Sequence, residues 1–299
     1  MINQKQNSVS EFQIAMRTFR KNHMAVLCVI IVFILYIGAI FADFLSPYSY
    51  KNEVRQYSYC PPTRIHFSDQ GRLSRPYVYG IKLTFDQYHQ RIYEEDPSVK
   101  YPIILFNRGD QYKLLGIIPT NIHLWGVSEQ GRVYLMGADS RGRDLFSRIL
   151  FGGRVSLSIG LIGVLISFSI GLLVGGVSGF YGGKIDNVLM RLSEMVMMVP
   201  GFYLLLALRA AVPPEFNSVQ VYFAIIIILS FIGWAGLARI IRGMCLSLRE
   251  REYVLAARSI GLSDFSIIVR HILPHTLSYS IFAVMLSIPG YILGESALS

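Results

Sequence analysis

Residues 155–183 read VSLSIGLIGVLISFSIGLLVGGVSGFYGG and contain no aspartate, glutamate, lysine or arginine. Because a helix rises about 1.5 Å per residue, about 20 apolar residues are enough to cross the hydrocarbon core of a bilayer. Further charge-free stretches of similar length occupy 24–42, 216–238 and 271–294. This pattern predicts an all-α protein that crosses a membrane several times.

The composition of the 299-residue chain agrees with this interpretation. Hydrophobic residues make up 53% of it and charged residues only 16%, whereas a soluble globular domain usually has about 25% charged residues. An ordinary cytosolic enzyme, a disordered chain and a disulfide scaffold are therefore excluded. The formal net charge of +9 comes from Lys and Arg beside the apolar stretches, as at the cytoplasmic ends of membrane helices, and it does not indicate a nucleic-acid partner.

The distribution of basic residues also predicts the orientation of the chain. The N-terminal tail carries four basic residues against the single acid Glu11, so the positive-inside rule places it in the cytoplasm. The third of five predicted spans contains Pro200 near its middle and Arg209 near its end. We expect Arg209 to reach the outer interface, with a place in a transport pathway as the alternative. The predicted spans are 24–42, 155–177, 190–211, 218–238 and 277–294.

A long polar insertion, residues 46–136, separates the first two spans. It holds seven of the twelve prolines and eleven of the eighteen tyrosines, a composition that does not suit the membrane interior. Runs rich in aromatic and β-branched residues at 77–85 and 101–106 predict strands. We therefore expect an extracytoplasmic, β-containing subdomain. Its tyrosines suit either a packed core or the docking of a partner protein.

Four glycines recur at every fourth position from Gly171 to Gly183. On a continuous helix they share one face and let a neighbouring backbone approach closely, which we interpret as helix packing. The same region departs from the phosphate-loop pattern, because Ser178 stands where a glycine is needed and Ile185 follows Lys184. No nucleotide site is predicted there.

Six arginines and three acids mark residues 239–275, which we predict to be the longest cytoplasmic stretch. The local signals describe two helices, one closed by Gly261 and one capped by Ser263 and ended near Pro274. A helix–glycine–helix arrangement at the inner face suits the docking of a soluble partner. The alternative is a solvated amphipathic loop. The two predicted helices are 249–260 and 264–273.

The residues that could carry chemistry form no recognisable site. The six histidines lack metal-ligand spacing, and a proline separates His271 from His275. Cys28, Cys60 and Cys245 are predicted to lie in a span, in the insertion and in a basic loop, respectively. We predict no catalytic residue, no cofactor and no metal. The near absence of charge in the spans also weighs against a transporter that moves protons or ions through buried carboxylates.

Several stretches resemble a known family. Glu252–Gly261 (EYVLAARSIG) and Arg270–Pro274 (RHILP) resemble the characteristic cytoplasmic loop of binding-protein-dependent ABC importer permeases. Gly137–Arg148 (GADSRGRDLFSR) is similar to the stretch before the second helix in the dipeptide/oligopeptide subgroup. Gly182–Asp186 and the arginines that follow Trp234 match further motifs in the same order.

The resemblance covers about 137–299 and implies a type I ABC importer permease fold with an extracytoplasmic β-containing insertion. It implies a C-type permease subunit of a peptide importer in the cell inner membrane, paired with a homologous B-type permease. Two ABC ATPase subunits and an extracytoplasmic peptide-binding protein are the other implied partners, with ATP hydrolysis on the ATPases. The implied division of the chain is 1–45 (tail and first helix), 46–136 (insertion) and 137–299 (permease domain).

In this family the loop at 239–275 couples the permease to an ATPase. Small alanine side chains permit close approach and Gly261 permits the turn, while Arg258 and Asp264 offer polar contacts. The residues that the resemblance assigns to the coupling loop are Glu252, Ala256, Ala257, Arg258, Gly261, Leu262, Asp264 and Pro274.

The chain departs from the family pattern in three places. The general family pattern reads Glu-Ala-Ala, whereas here Leu255 precedes the two alanines and the acid lies at Glu252. His275 follows the proline where asparagine is common in the peptide subgroup. Family members usually continue beyond Ser299 into a sixth helix, so we expect either a fragment or a defective protein. The alternative functions are a permease of the same fold for nickel or another small solute, an ATP-independent transporter or channel, and a membrane anchor for 46–136.

Overall fold

The computed structural model describes residues 11–69, 71–128 and 130–298, although the side chains of residues 11–15, 202 and 208 are not described. The chain divides into two compact units at Arg154 and Val155. The first unit carries the N-terminal helices and the strands, and the elements of the second, among its described residues, are helices joined by short turns.

The first unit begins with three helices. Asn22 starts the second of them, because its side-chain oxygen accepts a hydrogen bond from the Ala25 N–H at 3.2 Å. This second helix is apolar on all sides, and Ala39 is its one buried residue. A helix that exposes apolar side chains all round suits a lipid environment. The helices are α1 (Glu11–Lys21), α2 (His23–Ile40) and α3 (Ala42–Leu45).

Five strands follow between the first two long helices, which confirms the predicted β-containing insertion. The first three form an antiparallel sheet and the last two form a separate antiparallel hairpin. The predicted strand 77–85 lies in β2, whereas the predicted strand 101–106 is divided at Ile103 between two strands. The strands are β1 (His66–Asp69), β2 (Arg72–Phe85), β3 (Arg91–Pro102), β4 (Ile104–Leu114) and β5 (Ile118–Gly126).

Half-buried aromatic side chains lie between the end of α3, the strands and the segment that follows β5. The Trp125 indole N–H donates to the Leu45 carbonyl at 3.0 Å, and the Tyr48 hydroxyl accepts from the Val133 N–H at 2.9 Å. Burial raises the pKa of Tyr48 to about 12. Several of the tyrosines therefore serve a packed core, which was one of the two interpretations of the sequence.

The loop 137–144 leads into the longest helix. The Asp139 carboxylate accepts hydrogen bonds from the Arg141 and Arg143 N–H groups and pairs with the Arg143 and Arg148 side chains. Burial opposes ionisation, but these donors outweigh it and hold the pKa of Asp139 at about 2. Asp144 accepts from the Ser147 N–H at 2.8 Å and so caps the helix. The motif at 137–148 thus builds a helix start.

The remaining secondary-structure elements of the described chain are helical. They are α4 (Leu145–Tyr181), α5 (Gly183–Met198), α6 (Gly201–Ala210), α7 (Ser218–Leu248), α8 (Glu252–Ser259), α9 (Asp264–Ile267), a π-helical turn (Ile268–Ile272) and α10 (Leu273–Leu298). Within the described residues, four helical segments are long and apolar enough to cross a membrane: His23–Ile40, Leu145–Tyr181, Ser218–Leu248 and Asp264–Leu298.

The predicted third span, 190–211, is not a continuous helix. It is divided between α5 and α6, because Val199 adopts an extended conformation (φ −80°, ψ 123°) ahead of Pro200. Proline disfavours a helical conformation in the preceding residue and lacks the N–H that a continuing helix needs. The prediction of five continuous spans is therefore wrong at this position.

Helix α7 continues ten residues beyond the predicted end of the fourth span at 238. Arg239 and Arg242 are consequently helical, and Cys245 is a fully buried helix residue rather than part of a basic loop. The reason is packing, because Ile241 and Cys245 recur at helical spacing and join one apolar cluster.

The predicted helix end near Pro274 is also wrong. The chain passes from α9 through the π-helical turn into α10 without a break. In that turn the Leu273 N–H bonds to the Ile268 carbonyl, five residues back. Because Pro274 has no N–H to donate, the wider turn accommodates its ring at the start of α10.

The glycine pattern brings α4 and α7 into backbone contact. A Cβ atom added at Gly175 would lie 2.5 Å from the Ala238 carbonyl oxygen, and one at Gly179 would lie 2.6 Å from the Arg242 carbonyl oxygen. The prediction of helix packing is confirmed for these residues. Gly183 does not take part, since α4 ends at Tyr181 and Gly183 begins α5.

Candidate functional site

Helices α8 and α9, with the turn between them (residues 252–267), form what we call the elbow. At the end of α8 the Gly261 N–H donates to the Arg258 carbonyl at 2.9 Å and the Leu262 N–H donates to the Ala257 carbonyl at 3.2 Å. This pair of bonds is a Schellman motif, which requires a left-handed residue. Gly261 supplies it with φ +81°. The predicted closure of the helix at Gly261 is confirmed.

The second arm of the elbow begins at Ser263. Its hydroxyl accepts a hydrogen bond from the Ser266 N–H at 3.4 Å, and its carbonyl accepts one from the Ile267 N–H at 3.0 Å. Ser263 is therefore the helix N-cap that the sequence predicted. Asp264, half-buried in the first turn, lies at the positive end of the short α9.

One face of the elbow is buried against the long helices. Val254 and Ala257 of α8 pack with Ile267 of α9, and the cluster extends to Phe180 of α4 and Ile241 of α7. Each of these side chains is at least nine-tenths buried. The elbow is therefore held firmly on the ends of α4, α7 and α10.

The two alanines of the predicted coupling loop face opposite ways. Ala257 is only 5% exposed and belongs to the apolar cluster, whereas Ala256 is exposed. The sequence resemblance assigned both alanines to the contact with a partner. Only Ala256 is available for such a contact, because Ala257 closes the elbow against the helices below it.

The opposite face of the elbow carries exposed apolar side chains. Ile260 is 77% exposed and Phe265 is 65% exposed, with Leu255 and Leu262 beside them. We call these four residues the outer face. Leu262 was among the predicted site residues and the other three were missed. Apolar residues next to Gly261 in a stretch predicted to be cytoplasmic were the available signal, because exposed apolar patches mark interaction sites.

The remaining predicted site residues lie on the elbow or at the start of α10. The Arg258 guanidinium lies 4.6 Å from the centre of the Phe180 ring, a cation–π contact that covers the edge of the buried cluster. Glu252 is exposed in the first turn of α8, and Pro274 is exposed at the start of α10. Glu252 and Pro274 thus lie outside the buried cluster.

A two-bond ion pair lies beneath the elbow. Arg242 of α7 donates to both carboxylate oxygens of Asp186 in α5, each at 2.5 Å, and the Ser178 hydroxyl donates to the same carboxylate at 2.5 Å. The bonds from Arg242 hold the pKa of Asp186 below its usual value, against the opposing effect of burial. Sequence reasoning placed these residues in two separate motifs and did not predict their pairing.

Helices α4, α7 and α10 also meet around Tyr291. Its hydroxyl bonds to the Ser167 hydroxyl beside a cavity of about 160 Å³. One turn further, Glu295 is buried inside α10 and accepts a hydrogen bond from Ser156 at 2.6 Å. The predicted fifth span, 277–294, stops just before this acid, whereas α10 continues to Leu298. Arg209 donates to the Leu298 carbonyl at 2.9 Å.

Comparison with known proteins identifies the family. The model of the binding-protein-dependent transport system inner membrane component matches residues 168–299. The model of the N-terminal TM domain of oligopeptide transport permease C matches residues 10–62. The elbow, the Asp186–Arg242 pair and the glycine contacts between α4 and α7 all lie within residues 168–299, the range of the first family model.

Individual relatives agree with the family models. The dipeptide transport system permease protein DppC of Lactococcus lactis is 30% identical over 294 residues, which cover 98% of this chain and 74% of that protein. The oligopeptide transport system permease protein OppC of Mycobacterium bovis is 36% identical over 169 residues, 56% of this chain and 57% of that protein. DppC of Bacillus subtilis is 33% identical over 163 residues, 54% of this chain and 49% of that protein.

The match to the lactococcal protein extends over nearly the whole chain, whereas the other two matches span about half the length of each relative. The long apolar helices, the glycine-packed pair α4 and α7, and the elbow below them fit the two family models in order along the chain. The chain therefore belongs to the family of binding-protein-dependent transport system inner membrane components.

Proposed function

We propose that this chain is a permease subunit of an ATP-driven ABC importer for di- or oligopeptides. With a homologous permease subunit it forms the translocation pathway, and separate ATPase subunits hydrolyse ATP. The outer face of the elbow carries the proposal, because its exposed apolar side chains stand on a rigidly buried support. The names of the dipeptide and oligopeptide relatives support the class of cargo.

The geometry suits the transmission of a mechanical push. An ATPase subunit seated on Ile260 and Phe265 would press α8 and α9 against the apolar cluster that also contains residues of α4, α7 and the start of α10. The Asp186–Arg242 pair extends the connection to α5. Closure of the ATPases then moves these helices as one body, which is how rigid-body rocking alternates access to a pathway.

The proposal places the parts of the chain on opposite sides of the inner membrane. The N-terminal tail and the elbow lie in the cytoplasm, and residues 46–136 lie on the outer side, where a peptide-binding protein delivers cargo. The permease domain, 137–299, holds the coupling residues. The exposed members of the predicted loop, including Glu252, Ala256 and Arg258, surround the outer face and supply polar and close-packed contacts.

Affinity purification tests the proposal. The tagged full chain is isolated from mildly solubilised membranes, and retained proteins are identified by mass spectrometry. We expect a second permease and an ATPase subunit. Replacing Ile260 and Phe265 together by Asp should remove the ATPase and leave the second permease, because it charges the outer face only.

The matched control is Tyr59→Asp, which charges a side chain of similar exposure, 72%, in the insertion. This variant should retain the ATPase. Purification of the unmodified chain without any ATPase contradicts the proposal, as does full ATPase recovery with the double variant.

A further inference from the structure

The tip of the β4–β5 hairpin, Lys113–Ile118, is apolar although it projects from a polar insertion. It reads KLLGII, and Ile117 is 79% exposed with Leu115 and Ile118 also exposed. None of these three side chains belongs to an apolar cluster of the described residues. A contiguous exposed apolar surface of this kind indicates contact with a membrane or with a partner protein.

The turn at the tip places a leucine in a backbone conformation that leucine rarely adopts. Leu115 (φ +53°) and Gly116 (φ +74°) are both left-handed and lie in the three-residue loop between the paired Leu114 and Ile118. Two successive left-handed residues are the conformation that favours Asn-Gly in hairpin turns. A leucine in that conformation is sterically disfavoured. An apolar side chain therefore stands where asparagine would suit the fold better, which indicates a use for the side chain itself.

The other long hairpin shows the usual arrangement. Its turn between β2 and β3 is polar, and the Asp86 carboxylate accepts from the Tyr88 N–H at 2.8 Å and from the Gln90 N–H at 2.7 Å. This Asp-based turn is stabilised locally and meets water. The apolar tip is thus a property of the β4–β5 hairpin and not of the insertion as a whole.

The hairpin runs in the same direction as α4. Near its base, Trp125 lies 6.1 Å from the ring of Phe146 at the start of α4. Nearer its tip, Tyr112 and Lys113 line one cleft with Phe151, which lies about 7.5 Å further along the helix axis. Because α4 continues from there into the charge-free stretch, the hairpin descends towards the hydrocarbon region.

An ion pair marks the level at which that region begins. Asp43 and Arg154 are 2.7 Å apart, and they adjoin the charge-free stretches 24–42 and 155–183. Asp43 lines the same cleft as Lys113. Strand β4 ends at Leu114, and the Gly116 N–H donates back to the Lys113 carbonyl at 3.0 Å. The tip therefore reaches about one to two residues, about 3–7 Å, beyond Lys113, which overlaps the shallow end of the depth of about 5–10 Å that interfacial apolar groups reach.

We propose that the tip of the β4–β5 hairpin inserts into the phospholipid leaflet beside the first turns of α4, with Lys113 at the level of the lipid phosphates. The tip then fixes the insertion against the membrane surface, and the apolar cost of exposing Leu115 and Ile117 is relieved by acyl chains. This inference rests on the proposed membrane placement of α2 and α4.

Fluorescence quenching of the full chain in phosphatidylcholine nanodiscs tests the inference. In a Cys28→Ala background, a nitrobenzoxadiazole label is attached at Ile117→Cys, at Tyr88→Cys in the polar turn, and at Phe33→Cys on α2. Each sample is measured with lipid carrying a nitroxide near its headgroup, with lipid carrying a nitroxide in the middle of its acyl chain, and with iodide in the water. The Cys28→Ala chain treated with the same dye is the control and should take up none, because Cys60 and Cys245 are buried.

We expect the label at 117 to be quenched by nitroxide lipid and to be several-fold less sensitive to iodide than the label at 88. A label at Leu115→Cys should behave like that at 117. Iodide quenching at 117 equal to that at 88 overturns the inference. Protection from iodide without lipid quenching also overturns it, because the tip is then covered by protein.

The label at Phe33, 64% exposed on α2, separates this inference from the proposed function. If it too escapes nitroxide lipid, α2 does not cross the bilayer and the proposed membrane placement fails. If it is quenched while 117 is not, only the insertion of the hairpin tip fails.

Discussion

The elbow and the β4–β5 hairpin both expose apolar side chains, but they are supported in opposite ways. Behind the elbow's outer face lies a buried face that packs on α4, α7 and α10, and its turn uses Gly261, the residue best suited to a left-handed conformation. The hairpin tip has no buried face of its own and uses Leu115 in a similar conformation.

The difference indicates two kinds of partner. A rigid apolar face on a packed support can receive a force and transmit it, as a contact with a moving protein requires. A narrow tip that is apolar on both sides of its turn suits a fluid phase that surrounds it. Exposure alone does not distinguish the two, whereas the packing behind the exposed residues does.

The largest effect is expected from a substitution in the buried face of the elbow, with a substitution in the exposed face as its control. Ala257→Arg places a charge in the apolar cluster, where Ala257 is 5% exposed, and we expect a loss of at least about 3 kcal/mol in the free energy of unfolding. Titration with sodium dodecyl sulfate from mixed micelles measures it. The control Ala256→Arg is exposed and should change stability by less than about 0.5 kcal/mol.

Equal destabilisation by the two arginine variants would refute the assignment of opposite faces to neighbouring alanines. Affinity purification of the same variants tests the function of the exposed face. Ala256→Arg should weaken the recovery of an ATPase while leaving the fold intact.

The second effect concerns the support beneath the elbow. Asp186→Asn removes one partner of the Arg242 pair, and we expect a loss of about 1–3 kcal/mol, since Arg242 is partly exposed. The control Arg191→Ala breaks an exposed pair with Glu194 and should cost no more than about 0.5 kcal/mol.

The pH dependence of this effect has a defined sign. The pKa of Asp186 is lowered in the folded protein, so its contribution is complete above the ordinary aspartate pKa of about 3.9. It is lost as pH falls through the lower, folded value. The difference between the original chain and Asp186→Asn should therefore be the same at pH 7 and pH 5 and should shrink below about pH 4. A difference that disappears by pH 5 would exclude the ion pair as its source.

The smallest effect compares the two left-handed turns directly. Gly261→Ala should destabilise the elbow by about 1 kcal/mol, because alanine disfavours φ +81°. Leu115→Asn should be neutral or stabilising by a similar amount, because asparagine tolerates this conformation. Unfolding in mixed micelles measures both. Destabilisation by Leu115→Asn would show that the leucine packs on protein and that the contrast between the turns is mistaken.

Local signals predicted the elements of the site well. Gly261 and Ser263 were recognised as helix cap residues from their type and position alone, because a cap depends on bonds within a few residues. The strand content of the insertion and the close packing at Gly175 and Gly179 followed from composition and period in the same way. Predictions of helix ends from a proline or from charged residues were less successful. The helix did not end near Pro274, and α7 continued past the arginines that follow residue 238.

The sequence by itself determined that the chain is a membrane protein of several apolar helices with a β-containing insertion and a helix–glycine–helix segment. These properties depend on hydropathy, period and caps, which act over a few turns. Only the tertiary structure decided that Ala257 is buried and Ala256 exposed, that Asp186 meets Arg242 across 56 residues, and that Trp125 of β5 lies 6.1 Å from Phe146 at the start of α4. Each of these depends on how distant elements pack, because the energy of burial is determined by the neighbours a side chain acquires and not by its place in the chain.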